Sequence, residues 1–255
     1  MRRYIIVPLL LIFSFISFSF ANTSLRTNYV DYTKDANCVG VWRFNQDLSD
    51  TALDTQGGDK HLAVDGATYG AGKEGNGYSF DGTNDDLSRV STIDLTGTSV
   101  ITVVFWLYWD SFADDDDMCM EVTVNTNNQF PGMLILPNES ATSAFVCGMS
   151  DSAGVYENQK FTRPSGAAWH HYAFVFDKTL GVGNQIIVYV DSVSQALTVV
   201  GTAFELSGNF GNKDWYFMSR AGTSLFGDGD LDEVAIFSDK LTQAEVTDIY
   251  LHGLK

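Results

Sequence analysis

The closing stretch GDGDLDEVAIFSDKLTQAEVTDIYLHG joins a carboxylate-bearing strand to one short helix. Side chains alternate along a strand, so Asp232, Val234 and Ile236 are expected to share a face. An ionised carboxylate beside apolar neighbours must be compensated by hydrogen bonds, a cation or water. A second acidic group is the run Asp114 to Asp117, followed by Glu121 on a strand-like segment. Cleaving a glycosidic bond takes two carboxylates roughly 5 to 10 Å apart across a sugar, one of them a proton donor. A hard cation such as calcium takes the same oxygens. The Asp run reads first as a solvated loop.

Aromatic rings could bind sugars, which stack their C–H faces on exposed rings while nearby polar groups fix the hydroxyls. Trp109 lies where a long apolar strand runs out into the Asp run, and is the freest of the five tryptophans. Tyr156 with Asn158, in a polar loop region, forms a second candidate ligand contact. His170 and His171 are adjacent, so in a strand they face opposite sides and cannot grip one metal together. His61 sits beside a Gly-rich turn without an assigned role. Of Cys38, Cys119 and Cys147, the last two are the more plausible disulfide, although spacing cannot establish connectivity. No CxxC, HExxH or His/Cys cluster occurs, which argues against zinc and redox chemistry.

Short apolar runs broken by turn residues must position these groups: CVGVWRF, YSF, ITVVFWLYW, GMLIL, SAFVCGM, HHYAFVF, QIIVYV, ALTVV and WYFMS. Their Val, Ile, Phe, Tyr and Trp content predicts strands, and their spacing an antiparallel sandwich or barrel. The run Ile101 to Trp109 is apolar on both faces, so it must be covered on both sides. GVGNQ and DSVS are turns between meandering strands. One helix is predicted over 242–251, with Thr242 as N-cap, Glu245 as capping-box partner and Gly253 past its end.

Five of these stretches, in order, resemble the LamG-like jelly-roll family, the laminin G-type branch of the concanavalin A-like lectin and glucanase fold. They are VGVWRFN, YSFDGTNDDLS, ITVVFWLYW, WHHYAFVFD with IIVYVDSVS, and GDGDLDEVAIFSDKLTQAEV. The resemblance implies an all-β, antiparallel two-sheet jelly-roll sandwich with one short C-terminal helix. It further implies core positions for Trp42, Trp106 and Trp169, and a structural Ca2+ held by Asp232 with oxygens of Asn45 and Gly82. The family's glucanases carry a Glu-x-Asp-x-Glu type strand in mid-chain, which DDDDMCMEV does not reproduce, so no catalytic residue is expected. Ser192 replaces the usual Gly of the Tyr-Val-Asp-Gly turn, where positive φ would be strained for a non-glycine residue.

Residues 1–21 read as a signal peptide: Arg2, Arg3, an apolar run to Phe20 and a small-x-small site at Ser19-Phe20-Ala21. The run also has the length of a short uncleaved anchor. Residues 22–36 form an N-terminal segment and 37–255 the jelly-roll domain. Cleavage removes two arginines and no acid, so the formal charge of -17 becomes two units more negative. Such a surface disfavours nucleic acid and anionic lipid. The expectation is a secreted (extracellular, cell-surface or periplasmic), non-catalytic module without membrane insertion after signal cleavage, binding a glycan or glycoprotein surface. The alternatives are a protein–protein adhesion or structural module, or a glycoside hydrolase or polysaccharide lyase with an unrecognised site. NTS at Asn22 and NES at Asn138 fit the glycosylation sequon.

Overall fold

The protein is described by a computed structural model covering residues 30–110, 117–123, 132–139, 144–164 and 167–254. Residues 1–21, read as a signal peptide, together with Asn22 and Asp114 to Asp116 lie outside the described residues. After a 3-10 turn (Tyr32–Lys34) come β1 (Cys38–Trp42), β2 (Thr51–Ala52), β3 (Leu62–Asp65), β4 (Thr68–Ala71), β5 (Asn76–Asp81) and β6 (Asp86–Asp94). The middle of the chain forms β7 (Val100–Trp109), β8 (Met120–Thr123), β9 (Met133–Glu139), β10 (Ala144–Ser150), β11 (Tyr156–Phe161) and β12 (Trp169–Asp177). It closes with β13 (Ile186–Val190), β14 (Val193–Ser194), β15 (Thr198–Val200), β16 (Asn212–Phe217), β17 (Asp228–Phe237) and the helix α1 (Gln243–His252).

Two antiparallel sheets result. The first runs β14-β13-β12-β7-β17-β5-β4, with β1 also on β17; the second runs β15-β11-β10-β9-β8-β16-β6-β3-β2. Their inner faces make one core in which Phe105, Tyr172 and Phe174 of the first sheet meet Phe145, Met120 and Trp215 of the second. This is the sandwich that the strand spacing allows alongside a barrel, and the jelly roll that the family resemblance implies.

The two-faced apolarity of β7 has a direct cause. Ile101, Val103, Phe105 and Leu107 enter the main core, while Val104 joins a second cluster with Ala173, Val175, Ala235, Val246 and Ile249. Val246 and Ile249 belong to α1, so the helix covers the outer face of the first sheet. The capping box forms as the sequence predicts: Thr242 Oγ1 accepts from Glu245 N, and Thr242 N donates to Glu245 Oε2 at 2.7 Å. Gly253 leaves the helix at φ 76° and donates to Ile249 O. The cover extends ahead of β1, since Tyr32 is buried in the same cluster and its hydroxyl donates to Asp248.

One turn and the cysteines depart from the simplest reading. The β13–β14 hairpin places Asp191 and Ser192 at φ 48° and 65°, both left-handed, as a type I′ turn demands. Asp191 compensates by accepting from His171 N at 2.9 Å and pairing with His170 at 2.7 Å. Cys119 and Cys147 do not pair: all three cysteines are free and buried. Cys147 faces Ile135 of β9, and Ile135 in turn receives Cys119 N. The two thiols are therefore about two strand spacings apart, ~9.6 Å, beyond the ~7 Å Cα separation that a disulfide spans.

Candidate functional site

Asp232 does not share a face with Val234 and Ile236. A β-bulge interrupts β17 between Asp232 and Ala235, with Glu233 at φ 48°. Period-2 counting fails across that extra residue. Leu231, Val234 and Ile236 point into the core, whereas Asp232 pairs with Trp106 on the helix side.

There its buried carboxylate is held by backbone amides. Glu74 N donates to Oδ2 and Glu233 N to Oδ1, each at 2.8 Å. Burial nevertheless pushes the Asp232 carboxyl up to about 7, and that of Glu233 likewise to about 7. Asn45 Oδ1 accepts from Asn76 N at 3.0 Å, so Asn45 and Asp232 clamp the same 72–76 turn. Gly72 permits this approach, since a Cβ there would lie 2.6 Å from Asp232 Oδ2.

The three residues expected to hold calcium do not converge. Gly82 lies against Asp228, four strand positions from Asp232 and thus ~13 Å along β17. The side-chain oxygens of Asp232 and Asn45 receive backbone amides of the 72–76 turn and of Glu233. Beside them lies a polar cavity of about 160 Å³ lined by Arg43, Glu74, Trp106, Glu233 and Tyr250. Its charges face one another, with Arg43 3.5 Å from Glu233, and Lys73 lies over the Trp106 ring.

The aromatic candidates separate cleanly. Trp109 is buried: odd-numbered residues of β7 point inward to its end, and the ring packs under Gly227, where a Cβ would lie 2.9 Å from it. It is therefore not a ligand platform. Trp42, Trp106 and Trp215 are buried as well, and Trp169 is half-buried against Tyr108. His170 and His171 do face opposite sides; His171 packs against Trp106, and burial drives its pKa down to about 4. His61 has a structural part, its Nδ1 accepting from Asp54 N at 3.0 Å. Asn138 is 2% exposed, and its Oδ1 accepts from Arg163, so the NES sequon is shielded.

Tyr156, by contrast, is 55% exposed. It opens β11, whose side chains alternate: Tyr156, Asn158 and Lys160 point outward, while Glu157, Gln159 and Phe161 are buried. With Phe204 (43% exposed), Val155, Val200 and Thr202, Tyr156 lines a groove of about 420 Å³ at the β15 end of the second sheet. On its other side the same ring borders a notch of about 10 Å³ between β9, β10 and β11, lined also by Asn158, Leu134 and Gly148. That is room for one water-sized group.

The groove is built from within. Asp151 Oδ1 accepts from Ala153 N and Val155 N, fixing the turn that presents Tyr156. Inward-facing Glu157 accepts from Phe204 N at 2.9 Å and from Gln159 Nε2 at 2.6 Å. Buried Gln185 bonds both backbone groups of Leu206. The loop carrying Phe204 is thus tied down at two points, which lowers the ordering cost of binding. Phe204 was not a sequence candidate, since GTAFELSGNF shows no strand period; a lone aromatic among Gly, Thr and Ser was its only signal.

Among the described residues, two packed antiparallel sheets carry an aromatic groove lined by Tyr156 and Phe204. The sequence pattern of the concanavalin A-like lectin/glucanases superfamily matches residues 81–247, and the chain belongs to that family. No curated protein matches it. Among solved structures, the fold is similar to domain 4 of AbnA, a GH43 extracellular arabinanase from Geobacillus stearothermophilus, in complex with arabinotriose. That match has 16% identity over 84% of this chain and 98% of the other, with a TM-score of 0.60. It is also similar to the binding domain of Paraclostridial Mosquitocidal Protein 1 (19% identity, 84% of this chain and 52% of the other, TM-score 0.60). A third is the binding domain of botulinum neurotoxin DC in complex with rat synaptotagmin II (12% identity, 86% and 52%, TM-score 0.63). The chain spans about half the length of the two toxin domains.

Proposed function

We propose that the chain is an exported, non-catalytic module that binds neutral carbohydrate in the Tyr156–Phe204 groove. The observation that carries this reading is an exposed pair of rings in a groove of about 420 Å³ lined, among the described residues, by no charged side chain. Rings of that kind accept the C–H faces of sugars, and the adjoining Asn158 and Thr202 side chains are suited to hydroxyls. On a chain of formal charge -17, an uncharged lining favours a neutral ligand over a sulfated or uronic one. The lining also lacks the two carboxylates that glycoside hydrolysis needs across a sugar. Glu121, the mid-chain acid, is 1% exposed and committed to Arg220 at 3.1 Å.

Export rests on residues 1–21. Calcium has no part in this reading, because Asp232, Asn45 and Gly82 do not converge. A glycan array probed with the protein and with Tyr156→Ala tests the reading. Retention of neutral glycans by the wild type, at least tenfold weaker in the variant, supports it; an array without retained glycan removes it, and reducing ends released from any polysaccharide would make the protein an enzyme. A protein receptor is the second reading, favoured by exposed Val193 and Val200 on the edge strands β14 and β15.

A further inference from the structure

The groove and the notch lie on opposite sides of Tyr156, and strand register relates them. Leu134 of β9 faces Gly148 of β10, Gly148 faces Asn158 of β11, and Asn158 faces Val200 of β15. These four residues form one in-register row across the sheet. Three interstrand steps of ~4.8 Å make it ~14 Å long, perpendicular to the strands. Leu134, Gly148 and Asn158 line the notch and Val200 the groove, with Tyr156 bordering both. Among the described residues, no charged side chain lines either depression.

Gly148 makes the row continuous. A Cβ at this position would collide with Asn158 Oδ1, so glycine is what lets the carboxamide lie against β10. The notch beside it accommodates one hydroxyl-sized group, whereas the groove beyond Tyr156 accommodates whole rings. A sugar residue in an extended chain advances by about one interstrand spacing, so the row matches about three consecutive units.

We infer that the ligand is an internal segment of an extended neutral polysaccharide, laid across the strands from the Phe204 groove over Tyr156 into the Gly148 notch. This rests on the carbohydrate reading of the groove and adds to it a direction, a length and a specificity-determining residue. A site for a chain end or a single sugar would use the groove alone.

Calorimetry with neutral arabino-, xylo-, cello- and laminari-oligosaccharides of one to six units, and with neutral glycans retained on the array, tests the inference. In at least one series Kd is expected to fall tenfold or more between one and four units and then level off. Gly148→Ala, with its thermal midpoint checked, should remove most of the gain from the longer chains while changing binding of the shortest bound sugar less than twofold. Asn158→Ala, which adds no Cβ to β10, should likewise remove much of the gain from the longer chains and, because Asn158 also adjoins the groove, weaken the shortest bound sugar as well. A monosaccharide bound as tightly as the tetrasaccharide would overturn the extended-chain inference and leave the carbohydrate reading standing. So would a length series unchanged in both variants. Absence of binding in every series would overturn both.

Discussion

Replacing Asp232 by Ala separates amide compensation from metal compensation at the one fully buried carboxylate that ties β17 to the 72–76 turn. In the wild type its two oxygens accept Glu74 N and Glu233 N, each at 2.8 Å. The variant leaves Glu233 N without that acceptor in a buried place, at about 1–3 kcal/mol, whereas Glu74 N, on an exposed turn, can turn to water and loses about 0.5–1.5 kcal/mol. Relief from burying the carboxylate offsets part of this, so a net loss of about 1–3 kcal/mol is expected. For a domain of this size that lowers Tm by roughly 2–12 °C. Asp232→Asn keeps one acceptor oxygen and should lose about half as much. The assay is differential scanning calorimetry of wild type and both variants at pH 7, with EDTA and with added CaCl2. Neither addition should move the wild-type Tm. A wild-type Tm that falls in EDTA, recovers in calcium and becomes insensitive in Asp232→Ala would refute the reasoning, because a cation would then be doing what the amides are said to do.

Other outcomes follow from the same geometry. Stability should fall as pH rises from about 5 to 8: burial raises the carboxyls of Asp232 and Glu233 to about 7 and of Asp86 to about 6, and these three outweigh buried His171, lowered to about 4, so the folded chain holds more protons than the unfolded one between about pH 5 and 7. A Tm higher at pH 8 than at pH 5.5 would contradict this sign. Ser192→Gly should raise stability by about 0.5–1 kcal/mol, because Ser192 pays for a left-handed conformation at φ 65° that glycine adopts freely; an unchanged or lower unfolding midpoint in urea would count against the type I′ turn. Thiol titration of the native, non-reduced protein should find no reactive cysteine, and after unfolding three per chain; one thiol per unfolded chain would indicate a disulfide.

The sandwich was legible because each strand's period-2 pattern and each turn residue report locally, and the apolarity of β7 on both faces announced a second covering layer. The helix was legible down to its cap, since Thr242 and Glu245 act within one turn of each other. Asp232 was placed on the wrong face because the bulge at Glu233 inserts one residue, and periodicity carries no mark of an insertion. Trp109 was misplaced for a related reason: strand parity keeps it facing inward up to the last residue of β7, although the sequence turns polar immediately after. Tyr156 and Asn158 were legible as a candidate contact, but their polar stretch reads as a loop and is strand β11, with Asn158 half-buried. Their partners Phe204, Val200 and Gly148 come from three other segments, brought together by strand register and by the buried Glu157, which a local pattern does not encode.

The central claim is that the exposed rings of one groove bind a neutral glycan. Calorimetry of the wild type, Tyr156→Ala and Phe204→Ala against a glycan retained on the array tests it most directly. Measurable wild-type binding, weakened tenfold or more in each variant with Tm within about 3 °C of wild type, is predicted; both positions are solvent-exposed, where substitutions cost little stability. Wild-type affinity in both variants would place the binding surface elsewhere and contradict the account.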